Sequence, residues 1–167
     1  MKQDPRVKTP ALAMQQVYSL AKATYEGARD AQPAARHAQG LRVQVAKIQA
    51  TGALKDALGA FDEKLKALVG PPGGRGGPAG PFGPPPVPPP TPGVPDSLAD
   101  ASAALSAVMN SLNVDAQPTA LQLKTIADAR ARAAKVMARW TAARAEMTAL
   151  NVKLKAAGLA PLDLKGL

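Results

Sequence analysis

The sequence predicts an all-α protein, an up-down bundle of long helices carrying a Pro/Gly-rich loop. Three observations predict it. Apolar residues recur three and four apart on long stretches at both ends of the chain. Between them, Gly70 to Pro95 holds 12 Pro and 8 Gly in 26 residues, so neither helix nor sheet runs through it. The apolar fraction is 46% but aromatics are only 3%, and much of the remainder is Ala. Such small side chains suit closely packed helices, although they bury little area each.

Residues 1–9 read as an extended lead-in, with Asp4 held out of the α region by Pro5. Thr9-Pro10 is a helix start, Thr9 as N-cap and Pro10 in the first turn. Residues 10–69 then form a helical hairpin. Its first arm, to about Ala50, places Met14, Tyr18, Ala21, Tyr25 and Ala28 on one face. A kink or short break is expected at Pro33, with the stripe resuming at a shifted phase through Ala38, Leu41, Val45 and Ile48. The second arm, Ala53 to Val69, carries Leu54, Leu58, Phe61, Leu65 and Leu68 inward and ends at Gly70.

Residues 70–95 are the linker. Pro84 to Pro90 should lie as polyproline II, a stiff spacer. Pro85-Pro86-Val87-Pro88 fits the P-x-x-P ligand pattern, but composition alone explains that match. Residues 96–157 form a second hairpin that packs on the first. Asp96 caps its first helix, which turns Leu98, Ala101, Leu105, Val108 or Met109, and Leu112 inward. After a turn at Asn113 to Pro118, Thr119 starts the longest unbroken helix. Its stripe is Ile126, Ala129, Ala133, Val136, Trp140, Ala143, Met147, Leu150 and Leu154, the alternation of a coiled-coil seam. Gly158 stops it, and residues 158–167 form a C-terminal tail whose apolar start folds back on the bundle.

The two middle helices together match one long helix in length. That favours a three-strut bundle whose middle strut is interrupted by the loop. A four-helix bundle with the two short helices side by side is the competing arrangement.

Net charge is +9, and it is spread along the chain. Residues 1–69 carry 11 basic and 6 acidic side chains, residues 96–167 carry 9 and 6. A diffuse excess attracts polyanions weakly and with strong salt dependence. The sharpest cationic cluster is Arg132, Lys135 and Arg139 on one face of the last helix, with Lys124, Arg130 and Arg144 nearby; it is the candidate polyanion or nucleic-acid site. Aromatics for base stacking are scarce, and Trp140 belongs to the apolar stripe.

No catalytic, cofactor or metal site emerges. Cysteine is absent, which removes disulfides, thiolate nucleophiles and Cys-ligated metals. The single histidine, His37, sits among Ala and Arg without a Glu-x-x-His pair and reads as a surface residue. Ser97, Ser102, Ser106 and Ser111 have no basic partner nearby in sequence and suit tight helix contacts. Gly73-Gly74-Arg75-Gly76-Gly77 lacks the Lys-Ser/Thr ending of a phosphate loop. No run of 18 apolar residues predicts a membrane span, and Met1 to Pro10 lacks the apolar core of a signal peptide.

Several short pieces are familiar in this order: Asp4-Pro5-Arg6-Val7, the run from Gln15 to Tyr25, Leu41-Arg42-Val43-Gln44, Gln117-Pro118-Thr119-Ala120, Arg139-Trp140, Leu150-Asn151, and Ala156 to Leu162. Together they resemble the C-terminal helical region of large bacterial proteins built on sortilin-like, BNR-repeat β-propellers, which are often labelled glycosyl-hydrolase-like. The resemblance covers nearly the whole chain except the linker. It implies an exported parent with a propeller upstream, and it carries no catalytic residue onto this chain, because the Asp-box repeats are absent. The expected function is therefore a non-catalytic structural or protein-interaction module, with a protein partner or a second copy as its ligand. The alternatives are a basic polyanion-binding module and an accessory domain of a glycosyl-hydrolase-like enzyme.

Overall fold

A computed structural model describes residues 10–70, 96–112 and 118–163. Among them the chain forms four α-helices and no strand: α1 (Ala11–Lys47), α2 (Gly52–Val69), α3 (Leu98–Ser111) and α4 (Ala120–Ala156). The expected lead-in at 1–9, the polyproline stretch, most of the turn before Pro118 and the last four residues lie outside the described residues.

The bundle has three struts. α1 and α4 have 37 residues each, about 55 Å at the α-helical rise. α2 runs back along the C-terminal half of α1, with Arg42 paired to Asp62 at 2.9 Å. α3 continues in the same direction along the N-terminal half, where Gly27 brings Leu105 against the α1 backbone. The two short helices meet end to end: a Cβ on Gly70 would lie 2.4 Å from the Ser97 Cβ. Of the packed helix pairs they touch each other least, while each packs on both long helices. α4 is antiparallel to this composite strut, with Lys64 on Glu146 and Arg132 on Asp96. The three-strut arrangement is thus the one that folds, and the side-by-side packing of the short helices is not.

The core follows the expected seams on three helices. Phe61, Leu58, Leu65 and Leu68 from α2, Leu98, Ala101, Leu105 and Val108 from α3, and eight of the nine stripe positions of α4 are buried. Leu54 and Met147 pack against the edge of the same cluster.

α1 is continuous through Pro33, so of the expected kink or break the break does not occur. Its buried face keeps one phase throughout: Ala13, Val17, Thr24, Ala28, Ala31, Ala34, Ala38, Leu41 and Val45. Tyr18 and Tyr25, placed inward by the sequence reading, are 69% and 55% exposed. The buried residues from Ala28 to Ala38 are all alanine, and packing against α3 and α4 selects that face because it lets the helices approach closely. Proline removes one backbone bond, but contacts along the whole strut hold the helix across the gap. Buried Thr24 satisfies its hydroxyl locally by donating to the Leu20 carbonyl at 2.7 Å.

The helix ends also refine the reading. α1 starts one residue later than expected, with Pro10 at the N-cap position, and stops at Lys47. Thr119 caps α4 as expected, with a capping box to Gln122. α4 closes with the Gly158 N–H donating to Lys155 and the Leu159 N–H to Leu154, the bond pair of a Schellman motif, and Gly158 takes φ +70°.

Two glycines of α2 should respond oppositely to alanine. At Gly70, φ is +72° and the new methyl collides with Ser97, so Gly70→Ala should cost about 2 kcal/mol or more. Gly59 lies in the helix interior with open space around it, so Gly59→Ala should stabilise by about 0.5–1 kcal/mol. Equilibrium chemical denaturation checks both signs. Because residues 70 and 97 abut, replacing 71–95 by a linker of about six residues should leave helicity intact and raise stability by roughly 1 kcal/mol through reduced loop-closure entropy. Loss of cooperative folding in that variant would show that the segment itself holds the struts together.

Candidate functional site

Two of the three residues that sequence reasoning singled out for binding, Arg132 and Arg139, converge on the joint of the middle strut. Ser97, not Asp96, is the N-cap of α3. Its hydroxyl accepts from the Asp100 N–H at 3.1 Å and donates to the Asp100 carboxylate at 2.8 Å; the Ser97 N–H also donates to that carboxylate. Both side chains are buried, and the carboxylate sits in the first turn, where the helix dipole favours negative charge.

Capping by Ser97 leaves Asp96 available to α4. Arg132 meets it through two parallel bonds, Nη2 to Oδ1 at 2.7 Å and Nε to Oδ2 at 2.9 Å. Arg139, two turns on, donates Nη1 to the Asp96 carbonyl at 2.8 Å. The side chains of Arg132 and Asp96 are 22% and 16% exposed, so the pair is well shielded from water. The hydrogen bond that Arg132 donates to Asp96 raises the Arg132 pKa; burial opposes this, and the charges of Asp96 and Asp100 add to the rise. A raised basic group contributes stability that is lost only as pH climbs through its folded pKa. The guanidinium therefore stays charged across the physiological range, and its contribution to the clamp is constant there.

Of the three expected polyanion contacts, only Lys135 is exposed; Arg132 and Arg139 are half-buried and turned onto Asp96. The three do not form one free cationic surface. Arg139 also lines, with Lys64, Glu63 and Glu146, a groove of about 490 Å³ between α2 and α4 floored by Ala67 and Ala143. His37 is half-buried on α1. Among the described residues, no three His, Cys, Asp or Glu side chains gather as a metal-holding group, and no helix is long and apolar enough to cross a membrane.

A second polar fixture lies at the other end of α4. After Gly158 the chain turns back, and Leu162 enters the core, 2% exposed. The Asn151 side-chain amide brackets it, donating to the Leu162 carbonyl at 2.8 Å and accepting from its N–H at 2.7 Å. Gln44 of α1 does the same for Asp163, at 2.7 and 2.9 Å. Each amide thus pairs with both the N–H and the C=O of one residue, and the two serve successive residues as strands on either side of a central strand would. The sequence reading expected the fold-back but missed these residues as its cause. The available signal was Asn151, a poor helix former within the last two turns of α4, directly beside its seam. Three of the familiar short motifs, those containing Gln44, Asn151 and Leu162, are brought together here.

Comparison with protein-family models, curated proteins and solved structures finds no match.

Removing Arg132 takes a bidentate partner from a shielded carboxylate, so Arg132→Ala should destabilise by about 1–3 kcal/mol. Lys135→Ala should stay within about 0.5 kcal/mol of the parent. Denaturation of both variants, with an Asp96→Ala/Arg132→Ala cycle, measures the clamp; equal small effects at 132 and 135 would show that it does not hold the joint.

Proposed function

We propose that this chain is a non-catalytic helical module that acts as a structural or protein-interaction element. One observation carries the reading: the polar side chains that cross between elements are engaged in holding those elements together. Arg132 and Arg139 grip the joint, Arg42 ties α2 to α1, and Gln44 and Asn151 hold the returning segment. The resemblance to the helical region of sortilin-like, BNR-repeat proteins supports the same reading, with an exported parent and an upstream β-propeller as its structural partner. In that setting any glycosyl-hydrolase activity belongs to the propeller, and this bundle is an appendage to it.

The polyanion alternative keeps the net charge of +9 and exposed Lys135. A polyanion engaging Arg132 would have to displace Asp96 from it.

Purified chain should show no hydrolysis of chromogenic glycosides. Turnover that a single substitution abolishes would overturn the module reading. On a heparin column the chain should elute at low salt, and Lys135→Glu should change that only slightly. Steep, high-salt retention lost on charge reversal of Arg132, Lys135 and Arg139 in still-folded protein would move the function to polyanion binding.

A further inference from the structure

The segment after Gly158 is held by one buried leucine and two amide brackets. Leu162 is buried, Leu159 is half-buried, and Ala160, Pro161 and Asp163 are exposed. Asn151 and Gln44 bond only to its backbone, so the cradle asks for an extended peptide with a leucine at one position and little else. Its occupant hangs from a hinge. Gly158 is in the left-handed conformation with open space where a Cβ would stand. Were it to become helical, α4 would run on toward Pro161 and carry Leu162 off the bundle.

The surroundings of the cradle are apolar. A groove of about 460 Å³, lined by Ile48, Leu159, Ala160 and Pro161 with Gln44 and Lys47, adjoins the docked segment. Val43 and Val152 sit one residue from Gln44 and Asn151, and they are 53% and 68% exposed. Every copy of the chain carries both the cradle and a segment that fits it.

We propose that the Gln44–Asn151 cradle is a binding site for an extended, leucine-anchored peptide, and that a second copy of this chain supplies the peptide by exchanging segments about Gly158. The copy that donates Leu162 brings its own α4 end beside Val43 and Val152 of its neighbour. The low cost of swapping an identical element makes this route to assembly accessible. This inference rests on the module reading and names its partner.

The test uses full-length variants. Gln44→Ala/Asn151→Ala lacks the cradle; Leu162→Asp keeps the cradle and lacks the anchor. Each alone should be monomeric by light scattering from micromolar to millimolar concentration, and their mixture should form a one-to-one complex. If Leu162→Asp is unfolded alone, mixing should restore its helical circular dichroism, because the other variant's leucine fills its cradle. Folded variants that stay monomeric when mixed, or an unfolded Leu162→Asp chain that mixing does not rescue, overturn the proposal. Gly158→Ala, which penalises the left-handed hinge, should raise the oligomer fraction of the otherwise native chain several-fold; a Gly158→Ala chain that remains monomeric throughout also overturns it. Hydrolytic turnover would instead sink the module reading and leave the exchange standing.

Discussion

The bundle depends on closing a gap in its middle strut. α2 and α3 are separate helices joined across 28 intervening residues, yet they must stand in line between α1 and α4 for the core to be continuous. Gly70 and Asp96-Ser97 meet that constraint. Only glycine lets the backbone turn at 70 with positive φ while Ser97 stands where a side chain would be. The Ser97–Asp100 box then satisfies the new helix start without water, and Arg132 fixes that start to α4. With the joint set, Leu68 at the end of α2 and Leu98 at the start of α3 enter one core cluster, and Phe61 and Trp140 lie within the same cluster.

This explains why the strongest cationic signal in the sequence is a structural one. Arg132 and Arg139 are seven apart, two helical turns, so they project from the same side of α4. That spacing is what a backbone-binding stripe needs, and equally what gripping one residue through its side chain and carbonyl needs. Sequence cannot distinguish the two, because Asp96 lies 36 residues from Arg132. An Asp-Ser pair followed by Asp100 did contain a clue: when Ser97 and Asp100 complete a capping box, Asp96 is released for another partner.

Legibility varied with side-chain size. On α2 and α4, Leu, Ile, Phe and Trp stand out against polar neighbours, and the buried face is the one the spacing indicates. On the first half of α1 the largest apolar residues are two tyrosines, and they face outward. There the core face is Ala28, Ala31 and Ala34, whose apolar contrast against exposed alanines is nil; close approach to α3 at Gly27 decides the phase instead. The expected break rests on proline's missing N–H and its clash with the preceding turn, and packing along the strut overrides both; the shifted phase exists only on the tyrosine face. With the correct face, the register before and after Pro33 is the same.

The joint and the cradle solve related problems with different chemistry. At the joint a helix start must be fixed in a shielded place, and a charged bidentate pair supplies both direction and strength. At the cradle a strand-like segment must be laid along two helices whose own backbone groups are already bonded. Only side chains can offer it a donor and an acceptor together, and a primary amide presents both at strand-like spacing. Arginine could not replace Asn151, having no acceptor, and a carboxylate could not, having no donor. The amide pair reads backbone rather than sequence, and among the described residues of the segment Leu162 is the buried side chain, with Leu159 packed at the core's edge. A site with so few demands on its occupant holds it by proximity, and proximity is what a neighbouring copy also provides at high local concentration.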